Sequence, residues 1–300
     1  MKQINLNIVN KDFLKSYCDS ININEIKIKL ENLIPKPKEV IDNLEDIVIA
    51  NKKEIEGKYL NLLLNYSDDN KKKIENIFSY SSYRQNDKFM KYFKKLNIKS
   101  CPFCNNNYVY FYKKNAKTFN TIATLEHYYP KASYPHLSLS FFNLIPSCST
   151  CNSKFKGKIK HVGEILHPYY EDFDSKAKFS ISIDNLPVNK DIELEINLES
   201  NDARCKQSID RFQLDKIYKQ HNDIAKEIWN KAQVYNESRI EELYDNFYKD
   251  LGYSKEDVKN MVFCNYLQKD DIYKRNHSKL TQDILEQFKI KISTKEESEY

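Results

Sequence analysis

Two Cys-x-x-Cys pairs, Cys101-Pro102-Phe103-Cys104 and Cys148-Ser149-Thr150-Cys151, are separated by 43 residues, and no other feature restricts the fold as much. Each pair is a tight knuckle that sets two sulfurs on one side of a turn. Four thiolates so arranged make a tetrahedral site whose usual occupant is Zn²⁺. Such a site is coordinatively closed, so its ion is structural and pins together two segments distant in sequence. A pair of disulfides or a redox dithiol is the competing reading. Neither motif is flanked by the βαβ pattern that a redox Cys-x-x-Cys calls for.

Between the knuckles the chain reads Leu125-Glu126-His127-Tyr128-Tyr129-Pro130-Lys131 and then Phe142-Asn143-Leu144; Asn152 follows the last cysteine directly. Residues 120–127, with Ile122, Leu125 and β-branched Thr121 and Thr124, are expected to form a strand, and residues 141–145 a second one. The polar run Asn152-Ser153-Lys154 suits the start of a helix. The order is therefore strand, loop, strand, helix.

Glu-His, then Asn-Leu, then Cys-x-x-Cys-Asn, bracketed by a first Cys-x-x-Cys, resembles an HNH endonuclease of the ββα-metal type. Among these it is most similar to the bacterial group linked to antiphage defence, such as the HNH subunit of Septu-type systems and nucleases encoded beside retrons. The specific match covers about residues 101–157, roughly a fifth of the chain. The resemblance implies that His127 is the general base that deprotonates water for attack on a phosphodiester. It makes Glu126 and Asn152 ligands of a catalytic Mg²⁺ or Mn²⁺, and Asn143 the brace of the loop carrying the histidine. Position 126 is Glu where Asp is frequent, and position 152 is Asn where His occurs in other branches.

These roles agree with elementary chemistry. A near-neutral imidazole suits proton abstraction at physiological pH, and a hard divalent ion prefers oxygen ligands and binds phosphate. Each residue also has a plainer reading. A histidine after a strand can be a hydrogen-bonded structural residue, Asn152 can cap the following helix, and Asn143 can be a turn residue at the strand end. Lys131, Lys154, Lys156 and Lys158 are the candidate nucleic-acid contacts, with an ordinary solvated face as the alternative. His161 and His167, which no matched motif position claims, are expected to be structural.

Charge supports an anionic partner. Residues 101–168 carry eight lysines against Glu126 and Glu164, while the whole chain is only +5. Positive charge is thus concentrated on the motif segment, as docking on a phosphate backbone requires. DNA is expected in preference to RNA. The interleaved aromatics Tyr108, Tyr110, Phe111, Tyr112, Tyr128, Tyr129 and Tyr134 are expected mostly in the strand core, with one or two free to stack on bases.

The flanks read as helical. Residues 25–34, 40–51 and 55–66 show apolar spacing of three and four, and Ser67-Asp68-Asp69-Asn70 offers a cap for the helix that follows. Residues 179–183 and 192–196 alternate strictly and form a hairpin whose turn, residues 184–191, contains Pro187. Residues 202–232 read as one long amphipathic helix with Trp229 in the core, followed by helices at 237–251, 255–267 and 277–288. The last residues, 293–300, are polar and expected to fray. Cys18, Cys205 and Cys264 are scattered singly, as buried reduced thiols would be. There is no signal peptide and no membrane span, so a cytoplasmic protein is expected.

The expected fold is α+β. An N-terminal helical region (1–100) and a C-terminal hairpin with helices (169–300) flank a zinc-clipped nuclease module (101–168). No glycine-rich phosphate loop is present. The resemblance therefore implies a separate partner ATPase of the ABC or SMC-like kind, docking on helices 202–251. The alternatives are a non-catalytic zinc module that binds nucleic acid or protein, and an HNH nickase of restriction, repair or homing.

Overall fold

The computed structural model describes residues 1–113, 119–155, 163–183 and 194–292. It is a mixed α+β structure in which one cluster of buried apolar side chains draws on all three expected regions, from Met1 to Ile290. Among the described residues no helix is long and apolar enough to cross a membrane.

The N-terminal helices include Lys11–Cys18, Ile23–Glu31, Asp68–Phe78, Tyr80–Arg84 and Asp87–Lys95. Polar caps begin several of them: Asn10 accepts from the Phe13 amide and Ser67 from the Asn70 amide, satisfying donors that a helix start leaves open. Asn43 divides the segment read as one helix over 40–51 into Lys38–Asp42 and Leu44–Ile49. The segment read as helix over 55–66 is helical only at its start, where a π-helix at Ile55–Tyr59 continues the helical turn Lys52–Glu54. This region meets the motif segment through aromatic rings. Tyr17 packs edge-on against Phe141 at 5.2 Å and donates its hydroxyl to the Leu139 carbonyl at 2.9 Å; Phe93 stacks on Phe141 at 5.4 Å.

Three two-stranded antiparallel sheets are present among the described residues. β1 (Phe111–Lys113) pairs with β2 (Phe119–Thr121), and β3 (Thr124–His127) with β4 (Leu144–Ser147). The strand expected over 120–127 is thus two strands in different sheets, broken at Ile122 and Ala123. The segment expected as strand over 141–145 begins with a 3₁₀ turn, Phe141–Asn143. β5 (Ala177–Ile183) and β6 (Leu194–Ser200) form the expected hairpin, with Phe179 opposite Leu198 and Ile181 opposite Ile196. Its expected turn, including Pro187, lies outside the described residues, as do residues 293–300.

The helix read over 202–232 is broken at Gln213, which is left-handed (φ 50°), and again at the 3₁₀ turn Lys219–His221, into Ala203–Phe212, Leu214–Tyr218 and Asn222–Val234. Residues two apart on a continuous helix do not share a face, yet Phe212 and Leu214 are both buried. The break lets both reach the core. Trp229 is only partly buried. Gly252, left-handed at φ 80°, ends the run that starts at Glu237.

The last helix, Ser278–Gln287, covers the open edge of β5. Asp283 accepts from the Phe179 amide at 2.8 Å, and the Gln287 amide exchanges both hydrogen bonds with Ile181. Side chains here stand in for a missing strand and close an edge that would otherwise pair with other chains. Lys279, fully buried on that helix, is held between Asp174 at 2.5 Å and Asp283 at 2.8 Å, the paired arrangement that a buried charge requires.

Candidate functional site

The four knuckle cysteines converge. Cys101, Cys104, Cys148 and Cys151 are buried, and their sulfurs all lie within 4.8 Å of one another. A tetrahedral zinc–thiolate site, with bonds of about 2.3 Å, has sulfur–sulfur edges of about 3.8 Å; the Cys104 and Cys148 sulfurs are 4.0 Å apart. Backbone N–H groups already point at three of the sulfurs: Cys148 at Cys101, Cys151 at Cys148 and Asn106 at Cys104, each 3.4 Å. Such donors stabilise thiolates. Without a cation, burial holds the Cys101 thiol well above its usual pKa. The Cys148 thiol falls well below its own, through hydrogen bonds from Cys101, Cys104 and Cys151. Four thiolates in so small a buried space need a positive ion, and the cluster fits a metal such as zinc.

The first knuckle is fastened to the C-terminal helices. Asn105, buried and left-handed at φ 48°, donates from its amide to Ser100 Oγ and Ile272 O (both 2.9 Å) and accepts from the Lys279 amide at 3.0 Å. Asparagine tolerates this conformation better than most residues. His277 adds a 2.6 Å contact between its Nε2 and Asn106 Oδ1. Of the remaining cysteines Cys205 is buried and Cys18 partly so, but Cys264 is exposed, contrary to expectation.

Glu126 and His127 end β3, where Glu126 pairs with Ile145 and His127 with Leu144. Both are buried. His127 Nε2 lies 3.1 Å from the Ser138 carbonyl; a carbonyl only accepts, so Nε2 carries the proton and Nδ1 the lone pair. Burial lowers the imidazole from its ordinary 6.5 to about 4, although the Ser138 bond works the other way. The ring is neutral at physiological pH.

Asn143 is fully buried and tied to the loop beyond β3. It accepts from the Tyr129 amide at 2.6 Å and donates to Tyr129 O (3.2 Å) and Leu137 O (2.9 Å). The chain returning from His127 is thereby pinned against the start of β4. Asn152 sits in a short π-helix, Thr150–Phe155, where the start of a helix is expected. Its amide nitrogen is 3.5 Å from the Leu125 carbonyl. Such turns recur at functional sites.

Lys131 is ion-paired with Glu75 at 3.0 Å, and Lys154 is exposed. Lys156, Lys158 and His161 lie outside the described residues. His167 is buried, its ring tilted at 39° to that of Tyr128 with centroids 4.1 Å apart, and its Nδ1 accepts from the Tyr169 amide. Tyr108, Tyr110 and Tyr112 are exposed instead of core, because Val109 and Phe111 take the inward positions of the same extended run. Two neighbours of the site carry no sequence signal. Tyr80, from the N-terminal helices, lies against His127, and Ser138 supplies the carbonyl that orients it.

No family model matches the chain, and no solved structure matches it. Protein Ea31 of Escherichia phage lambda is similar to it, at 28% identity over 107 residues, which is 34% of this chain and 32% of Ea31. The chain thus matches about a third of that relative's length.

Proposed function

We propose that the protein is a metal-dependent HNH-type endonuclease that hydrolyses phosphodiester bonds, in DNA by preference, as an effector of bacterial antiphage defence. The observation that carries the reading is a neutral His127 at the end of β3, its Nε2–H committed to Ser138 O, with Glu126 beside it and Asn143 fastening the loop that follows. In this reading Nδ1 of His127 takes the proton of the attacking water, a step that contributes on the order of 10²- to 10⁴-fold. Glu126 and Asn152 offer oxygens of the hard type that Mg²⁺ or Mn²⁺ favours and would hold such an ion, which would supply positive charge at the phosphate. Ser138 holds the imidazole in the productive tautomer. The Cys101, Cys104, Cys148 and Cys151 site fixes β4 and the Asn152 turn relative to the first knuckle, with zinc as its proposed ion.

The test is cleavage of plasmid, linear DNA and transfer RNA by purified protein with Mg²⁺ or Mn²⁺, repeated with His127→Ala. Activity is expected in the wild type and lost in the variant. Equal rates in both would overturn the role of His127, and no cleavage by the wild type would leave a non-catalytic zinc module. The proposed partner ATPase docks on helices 202–251, where Val234, Phe247 and Leu251 are each at least 60% exposed; co-expression with a neighbouring ATPase and size-exclusion chromatography tests that part.

A further inference from the structure

The chain leaving the first knuckle is extended, and it sorts its side chains by parity. Ser100 bridges Tyr108, the Val109 amide donates to Lys99 O, and the run continues into β1. Side chains of an extended chain alternate between two faces. Val109 is buried and Phe111 packs on the core, while Tyr108, Tyr110 and Tyr112 are 38%, 41% and 45% exposed. Tyr108 and Tyr110 lie parallel, 5.0 Å between centroids and 17° between planes. Ile122, 59% exposed, sits beside them, its amide bonded to Tyr110 O at 2.9 Å. Buried strand residues need no special account; a row of exposed large rings does.

The charge of the sequence that carries the row points to its occupant. From Lys99 to Leu125 the sequence holds Lys99, Lys113, Lys114 and Lys117 and no acid. Exposed aromatic faces on a stretch of sequence whose charged residues are all cations suit a polyanion that carries flat rings. They do not suit a neutral apolar protein surface. The row also leads to the candidate site. Tyr110 O accepts from Thr121 Oγ and from the amides of Ile122 and Ala123, and β3 begins at the next residue. Glu126 and His127 follow three to four residues on, about 10–13 Å at strand rise.

We infer that Tyr108, Tyr110 and Tyr112 form a stacking platform for unpaired bases, which makes a single-stranded nucleic acid, or the frayed strand of a duplex, the substrate presented to Glu126 and His127. The choice of nucleic acid rests on the nuclease reading. The knuckle supports the platform, since the Cys101 amide donates to Asn107 O one residue before Tyr108. Base stacking on aromatic side chains tolerates any sequence, so the platform binds with little sequence preference.

The test is fluorescence anisotropy of a labelled oligothymidylate with the full chain, without added Mg²⁺ or Mn²⁺, so that binding is read apart from cleavage. Replacing Tyr108 and Tyr110 together by Ala is expected to weaken binding about ten-fold for each ring, with the salt dependence unchanged because phosphate contacts remain. The Tyr108→Phe, Tyr110→Phe pair is expected to bind like wild type, since stacking needs the ring and not the hydroxyl. Tyr112→Ala alone is the milder variant should the pair fail to fold, and it too is expected to weaken binding. Unchanged affinity in the folded Ala variants overturns the inference. So does an equal loss in the Phe pair, or a change in self-association with affinity intact. A chain that binds oligothymidylate through these rings but cuts no nucleic acid keeps the platform and loses the nuclease reading. Cleavage unaffected by the Ala pair, with affinity also unaffected, does the reverse.

Discussion

The ring of Tyr80 stands edge-on to the imidazole of His127, 4.4 Å between centroids at 74°, and its hydroxyl donates to the Leu125 carbonyl two residues earlier in the strand. A helix of the N-terminal region therefore covers the proposed base. Tyr80→Ala is expected to open that cover, and Tyr80→Phe to keep it, because the edge contact survives without the hydroxyl. Diethylpyrocarbonate labelling of His127, followed by mass spectrometry, should run several-fold faster in the Ala variant. Equal labelling in all three proteins would show that the ring does not shield the histidine.

Asn143 uses both ends of its amide, so its substitutions separate cleanly. Asn143→Ala removes three buried hydrogen bonds and is expected to cost on the order of 2–4 kcal/mol. Asn143→Asp keeps the acceptor for the Tyr129 amide but turns a carboxylate oxygen toward the carbonyls of Tyr129 and Leu137. It should be no better than Ala. Urea midpoints and cleavage rates are the readouts; an Asp variant of wild-type stability would contradict these bonds.

The cysteine cluster predicts one tightly bound zinc per chain. Cys148→Ser should lose the metal and lower the thermal midpoint sharply, since metal binding and folding are coupled in such sites. Strong chelation should act likewise, with recovery on adding Zn²⁺. Elemental analysis that finds no zinc in the wild type would rule the clip out.

His136 gives a pH signature away from any metal ligand. It is buried, with Nε2 at 2.8 Å from the Tyr59 carbonyl, and burial lowers it from the ordinary 6.5 to about 4. Between those values the unfolded chain binds the extra proton and the folded chain does not. Stability from this group is therefore full above about pH 6.5 and falls as the pH drops toward 4, by at most about 3 kcal/mol. His136→Gln can still donate to Tyr59 O and does not titrate. Its thermal midpoint should fall less than that of wild type across this window, and parallel curves would refute the assignment.

What was legible in the sequence is what depends on local pattern. The β5–β6 hairpin follows from strict alternation, and the convergence of four sulfurs follows from knuckle spacing. The pairing of the strand that ends at His127 with the one that starts after Asn143 also follows from local order. The boundary at Ile122 was not legible, because one β-prone run serves two sheets. Nor was the outward face at Tyr108 and Tyr110, since alternation shows that two faces differ but not which is buried. The break at Gln213 and the cover by Tyr80 depend on contacts between distant segments, and no single stretch of sequence carries them.

Asn105 reaches partners 167 and 174 residues further along the chain, which sets an order of events during synthesis. At about 5–20 residues per second, the first knuckle leaves the ribosome roughly 10–30 s before Ile272 and Lys279 exist to hold it. Until then the Asn105 amide has Ser100 Oγ but lacks those distant partners. The first knuckle thus gains its full set of hydrogen bonds only when the last helix has been made, and a product truncated before Ile272 would lack them.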